Sequence, residues 1–77
     1  MIRELKTLIA VAQHGTFAAA GQHIGLTQAA VSAQMKRLEA ALGVALFERS
    51  GRAAVLTKRG QETLQQAQAL IALYGTL

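Results

Sequence analysis

Between Gln28 and Leu42 lies a segment whose outer positions suit contact with nucleic acid. Ala29, Ser32, Ala33, Lys36 and Ala40 share one face at helical spacing. Gln28 sits at the N-terminal rim and Arg37 at one flank. A glutamine amide can pair bidentately with adenine, a serine hydroxyl can pair with several base edges, and alanine methyls can meet thymine methyls. A helix N-terminus adds free N–H groups and a positive dipole, both suited to phosphate. An ordinary solvated face carries mixed Glu and Lys. This one is small and hydrogen-bonding at its start and turns basic one turn later.

The charge distribution points the same way. Eight Lys and Arg oppose four Asp and Glu, a net charge of +4. Six of the eight, Lys36, Arg37, Arg49, Arg52, Lys58 and Arg59, fall between positions 36 and 59, where only Glu39 and Glu48 oppose them. A basic stretch inside a short folded chain forms a shaped surface, and a polyanion is its natural partner. Other chemistries lack their residues. Without cysteine there is no disulfide scaffold, thiolate zinc site or thiol nucleophile. His14 and His23 alone do not make a metal site and read as surface or cap residues. No Ser, His and acid trio has motif context and no phosphate-cradling loop occurs, so no catalysis, metal or cofactor is expected. With 4% aromatic residues the chain is no base-stacking binder of single strands, and Phe17 and Phe47 read as core anchors. No apolar run reaches the length of a membrane span.

The elements that must carry these residues follow from periodicity and punctuation. At 77 residues, 52% hydrophobic and 16% charged, the chain is one small folded domain. Leu5, Leu8, Ile9 and Ala12 mark a helix over about 3–14, stopped by Gly15. Thr16 caps a second helix to Ile24, and Thr27 caps a third from Gln28 to Leu42. Only Gly25, Leu26 and Thr27 separate these two, so they must cross steeply as a helix-turn-helix. Val31, Met35, Leu38 and Leu42 form the side of the third helix that packs on the first two. Ala20 and Gly21 are the small residues at that crossing. A glycine inside a helix costs about 0.5–1 kcal/mol relative to alanine, so Gly21→Ala is expected to stabilise. Val44–Arg49 and Ala53–Leu56 flank Ser50-Gly51-Arg52, which predicts a β-hairpin. Thr57 caps a last helix to about Tyr74. The expected fold is a mainly α winged helix-turn-helix: a three-helix core, a short β-hairpin wing and a long C-terminal linker helix. Residues 1–57 form the DNA-binding domain and 58–77 the dimerisation helix. That helix has two apolar stripes, Leu64, Ala67, Ile71 and Tyr74, and Leu70, Leu73 and Leu77, where covering a small domain needs only one. The second argues for a partner helix.

Five blocks in order, Gly15-Thr16-Phe17-Ala18-Ala19-Ala20, Leu26-Thr27-Gln28-Ala29-Ala30-Val31-Ser32, Lys36-Arg37-Leu38-Glu39, Leu42-Gly43-Val44-Ala45-Leu46-Phe47-Glu48-Arg49 and Leu56-Thr57, resemble the N-terminal DNA-binding domain of LysR-type transcriptional regulators. The likeness covers about residues 2–73. It implies a bacterial cytoplasmic regulator that binds double-stranded DNA, with an effector-binding domain outside this chain. It also implies a homodimer paired through the last helix and a tetramer in the full-length form. Carried over by position, Thr27, Gln28, Ala29, Ser32, Ala33 and Lys36 would meet the major groove and its flanking phosphates. Thr16 and Ala18 would lie near the backbone, and Arg52 at the tip of a wing that Arg49 also flanks. Ala29 and Ala45 stand where the family commonly has proline, and Ala33 where it commonly has arginine. A molybdate-type regulator's N-terminal domain shares this layout. A helical protein-interaction module would need only the last helix and not the basic middle segment.

Overall fold

The computed structural model describes residues 1–48 and 51–76; Arg49, Ser50 and Leu77 lie outside the described residues. Its four helices are α1 (Ile2–His14), α2 (Phe17–Ile24), α3 (Gln28–Leu42) and α4 (Lys58–Thr76). Three threonines start the last three. The Thr16 hydroxyl accepts from the Ala19 N–H at 3.0 Å, Thr27 from Ala30 at 3.1 Å, and Thr57 from Gly60 at 3.0 Å. Each satisfies a backbone donor that the first helical turn leaves open. Gly25 takes a left-handed conformation, φ 78°, which turns the chain from α2 into α3 within three residues.

α1 is the central element and packs on all three other helices. Leu8 and Val11 of α1 meet Val31, Met35 and Leu38 of α3, with Leu46 and Ala67 closing the core from the α3–α4 connection and from α4. Leu42 departs from the expected buried side. It is 42% exposed, at the C-terminal end of α3, where it lines an open cleft with Leu5 of α1 and Leu70 of α4. Gln34, which spacing did not single out, is buried at 5%. The Thr7 hydroxyl of α1 donates to Gln34 Oε1 at 2.5 Å and lies 3.1 Å from the Arg3 carbonyl. This polar pair crosses the core and ties the orientation of α3 to α1.

The expected β-hairpin is not formed. Among the described residues there is no sheet, only one isolated antiparallel bridge between Phe47 and Leu56. The arms are bonded to neighbouring elements instead, and in the register of that bridge the Leu46 N–H, which a ladder would turn toward Thr57, is diverted. The N–H groups of Leu46 and Phe47 go to Glu39 Oε2, at 2.7 and 3.4 Å. The Ala54 N–H goes to the Gly15 carbonyl at 2.8 Å. Among the described residues, the backbone bonds between the two arms are Glu48 N–H to Val55 O and Thr57 N–H to Leu46 O. The fold is therefore a helical helix-turn-helix with an irregular α3–α4 loop in place of a β-hairpin wing.

At Gly21 the geometry opposes the expected gain from alanine. A Cβ there would lie 2.5 Å from the Leu26 carbonyl oxygen and 3.2 Å from Val31 Cγ2. Glycine lets the turn come this close without the shift that a methyl group would force. Gly60 is held in the same way, since a Cβ there would strike the Leu46 carbonyl.

Candidate nucleic-acid interface

A concavity of about 1130 Å³ opens between the start of α2, the outer side of α3 and the α3–α4 loop. Three contacts hold its walls. The Phe17 and Phe47 rings meet edge to face, centroids 5.1 Å apart at 85°, and join α2 to the loop. The Ala54 to Gly15 hydrogen bond joins the loop to the α1–α2 turn. The Glu39 carboxylate holds Leu46 and Phe47 against α3. The Thr57 hydroxyl, donating to the Ala45 carbonyl at 2.7 Å, fixes the loop's return to α4.

Of the residues singled out in the sequence, Thr16, Ala18, Gln28, Ser32, Lys36 and Arg52 line this one concavity, although they come from three separate elements. Thr27, Ala29 and Ala33 are exposed but lie outside its lining, on the outward side of α3. Arg37 is turned elsewhere: its Nε lies 3.7 Å from Glu4 Oε2 of α1. Glu4 also pairs with the N-terminal ammonium at 3.1 Å. That ammonium, then Glu4's own backbone amide and more weakly the Arg37 guanidinium, hold the Glu4 carboxyl below its ordinary value, against an opposing effect of burial. Arg49 lies outside the described residues. Lys36 and Arg52 thus supply the cationic side chains of the concavity, and neither is in an ion pair among the described residues.

The structure adds residues that spacing did not single out. Gly51, Ala53 and Ala54 line the loop side with no bulk to obstruct a docked surface. Glu39 anchors the loop, and Glu48 brings a carboxylate to the same concavity. Glu39 and Glu48 were visible in the sequence as the only acids within the basic stretch, but no local signal separates their roles. His14 and His23, exposed near the ends of α1 and α2, stack with ring centroids 4.3 Å apart. No group of three or more His, Cys, Asp or Glu placed to hold a metal occurs among the described residues. No described helix is long and apolar enough to cross a membrane.

The stripes on α4 part company. Leu64 and Ile71 pack on the core and Ala67 is buried within it, whereas Leu70, Leu73 and Tyr74 are 46, 61 and 54% exposed. The Tyr74 ring receives Lys6 Nζ at 5.8 Å from its centroid. Leu77 lies outside the described residues.

The family model for bacterial regulatory helix-turn-helix proteins of the lysR family matches residues 2–61. The RuBisCO operon transcriptional regulator of Allochromatium vinosum is 39% identical over 69 residues, which are 90% of this chain and 23% of that protein. The HTH-type transcriptional regulator CbbR of Rhodospirillum rubrum is 41% identical over 71 residues, 92% of this chain and 24% of CbbR. The chain spans about a quarter of the length of these curated relatives, both of them transcriptional regulators. Its fold superposes on the crystal structure of the CbnR DBD–DNA complex with a TM-score of 0.94, at 42% identity, over 99% of this chain and 87% of that one. Blocks from all three elements around the concavity fall within the matched span, and the chain belongs to the lysR family of bacterial regulatory helix-turn-helix proteins.

Proposed function

We propose that this chain is the DNA-binding domain of a bacterial, cytoplasmic transcriptional regulator, and that duplex DNA occupies the concavity. The observation that carries the reading is the convergence of Gln28, Ser32, Lys36, Thr16 and Arg52 on one open surface. α3 enters the major groove, which is wide enough to admit a helix, and sets Gln28 and Ser32 against base edges. Thr27, Ala29 and Ala33, on the outward side of α3, meet the groove walls and flanking phosphates. The first-turn N–H groups of α2, beside Thr16 and Ala18, face phosphate. Arg52 reaches the adjacent backbone from the loop, with Arg49 three residues before it in sequence. That CbnR DBD was crystallised with DNA supports this placement.

Two copies pair through the exposed side of α4, with Leu70, Leu73 and Tyr74 as the seam. Residues 58–77 serve as the dimerisation helix of the DNA-binding unit formed by 1–57. A dimer sets the spacing of two half-sites, and a full-length protein would assemble further, to a tetramer.

Fluorescence anisotropy with duplex DNA across a salt series tests the reading. Neutralising about four to six phosphates per domain gives a log–log slope of roughly −4 to −5. Gln28→Ala is expected to weaken a site selected from a random duplex pool by about 1–3 kcal/mol and a scrambled duplex little. Arg52→Ala is expected to weaken both by similar factors, because phosphate contacts position without specifying. A slope near zero would remove duplex DNA as the partner. An unchanged ratio of affinities in Gln28→Ala would remove α3 as the reading element.

A further inference from the structure

The chain has four acidic residues, Glu4, Glu39, Glu48 and Glu62. Three are engaged within the fold. Glu4 pairs with the N-terminal ammonium and Arg37, Glu39 accepts from the Leu46 and Phe47 amides, and Glu62 lies 3.5 Å from Arg59 Nε. Glu48 differs. It is exposed, and among the described residues its carboxylate has neither an ion pair nor a hydrogen bond. Its backbone is nonetheless fixed by the N–H to Val55 O bond at 2.8 Å, and it lines the same concavity as Lys36 and Arg52. An unpaired negative charge on a surface meant for phosphate calls for a reason.

Resting on the reading of the concavity as a DNA-binding surface, we propose that Glu48 is a specificity-determining residue that suppresses binding to duplex DNA of the wrong sequence. A carboxylate only accepts hydrogen bonds. The groups a duplex offers it in the major groove are the exocyclic amines, cytosine N4 above all; phosphates, N7, O6 and O4 all repel it. On a site that places an amine near Glu48, the charge is matched. Elsewhere it is a penalty with no return. A nonspecific complex is held almost wholly by phosphate contacts, so its affinity follows the net charge of the protein face. Glu48 offsets part of the charge of Lys36 and Arg52 there, and its repulsion falls hardest on wrong sites. Discrimination by an unfavourable element against competitors is a general route to specificity.

The test compares the parent chain with Glu48→Gln on two duplexes of equal length and composition, one selected by the parent from a random pool and one scrambled. The variant keeps the shape of the side chain and leaves the Glu48–Val55 backbone bond in place, and an unchanged far-UV circular dichroism spectrum checks the fold. Glu48→Gln is expected to tighten the scrambled duplex by roughly two- to fivefold, the size of one exposed charge pair. It should leave the selected duplex unchanged or weaker, so the ratio of affinities falls. Equal tightening on both duplexes overturns the proposal by making Glu48 a general like charge. No change on either overturns it by placing the carboxylate away from the duplex. Should the parent bind neither duplex in a salt-dependent way, it is the DNA-binding reading itself that fails.

Discussion

Replacing Gly21 by alanine sets two opposing effects against each other. Local reasoning about helices favours the substitution, since alanine is better than glycine by about 0.5–1 kcal/mol in a helix interior. The tertiary contact opposes it. The added methyl would lie 2.5 Å from the Leu26 carbonyl oxygen, and relief to an ordinary separation of about 3.4 Å needs a shift of roughly 0.9 Å. The carbonyl has little room to give. The Leu26 N–H donates to Gly21 O at 2.8 Å, so the turn is bonded to the residue being changed, and Val31 Cγ2 at 3.2 Å blocks the other side. Overpacking of this kind costs typically 1–3 kcal/mol. Taking the helix gain from the middle of that range leaves a net loss of about 1 kcal/mol, or a fall in Tm of roughly 4–8 °C for a domain of this size. Urea unfolding followed by far-UV circular dichroism measures it, at one fixed protein concentration because self-association would couple to stability. A Gly21→Ala variant as stable as the parent, or more so, would show that the turn yields cheaply and that the Leu26 carbonyl sets no penalty.

The buried Thr7–Gln34 pair predicts a non-additive result: Thr7→Val or Gln34→Leu alone should cost about 1–3 kcal/mol by stranding the other polar group, and the double variant less than the sum. A double-mutant cycle in urea reads that coupling. Glu4, whose carboxyl is held below its ordinary value, contributes stability that is present above the unfolded carboxyl pKa and is lost as pH falls through the depressed folded value. Unfolding measured through the acid range should therefore show Glu4→Gln with a flatter loss than the parent. Replacing both Leu70 and Leu73 by Glu should leave the helix content intact and turn a self-associating parent into a monomer by sedimentation, since carboxylates in an apolar seam are costly without partners. A monomeric parent at high concentration counts against the seam.

Much of the candidate site was legible because its determinants are local. A threonine cap closes on an amide three residues later, a left-handed glycine ends a helix one turn after its acceptor, and the apolar period of α3 leaves Ser32 and Lys36 outward. These interactions span at most about one helical turn, so the residues that make them are neighbours in the chain. They placed the four helices and the short α2–α3 turn.

What the tertiary structure alone decided involves partners far apart in sequence that compete for the same group. The Val44–Arg49 and Ala53–Leu56 segments have hairpin character, yet Glu39 takes the Leu46 amide that a ladder would use and Gly15 ties Ala54 to the α1–α2 turn. Arg37 belongs to the basic stretch, yet Glu4 on α1 draws it away from the concavity. Gln34 looks like a surface residue until Thr7 meets it across the core. Gly21 reads as a weak helix position until the Leu26 carbonyl arrives beside it. Periodicity records which way a side chain points. It does not record which group from another element waits there, and a buried donor, acceptor or methyl takes its energy from that group.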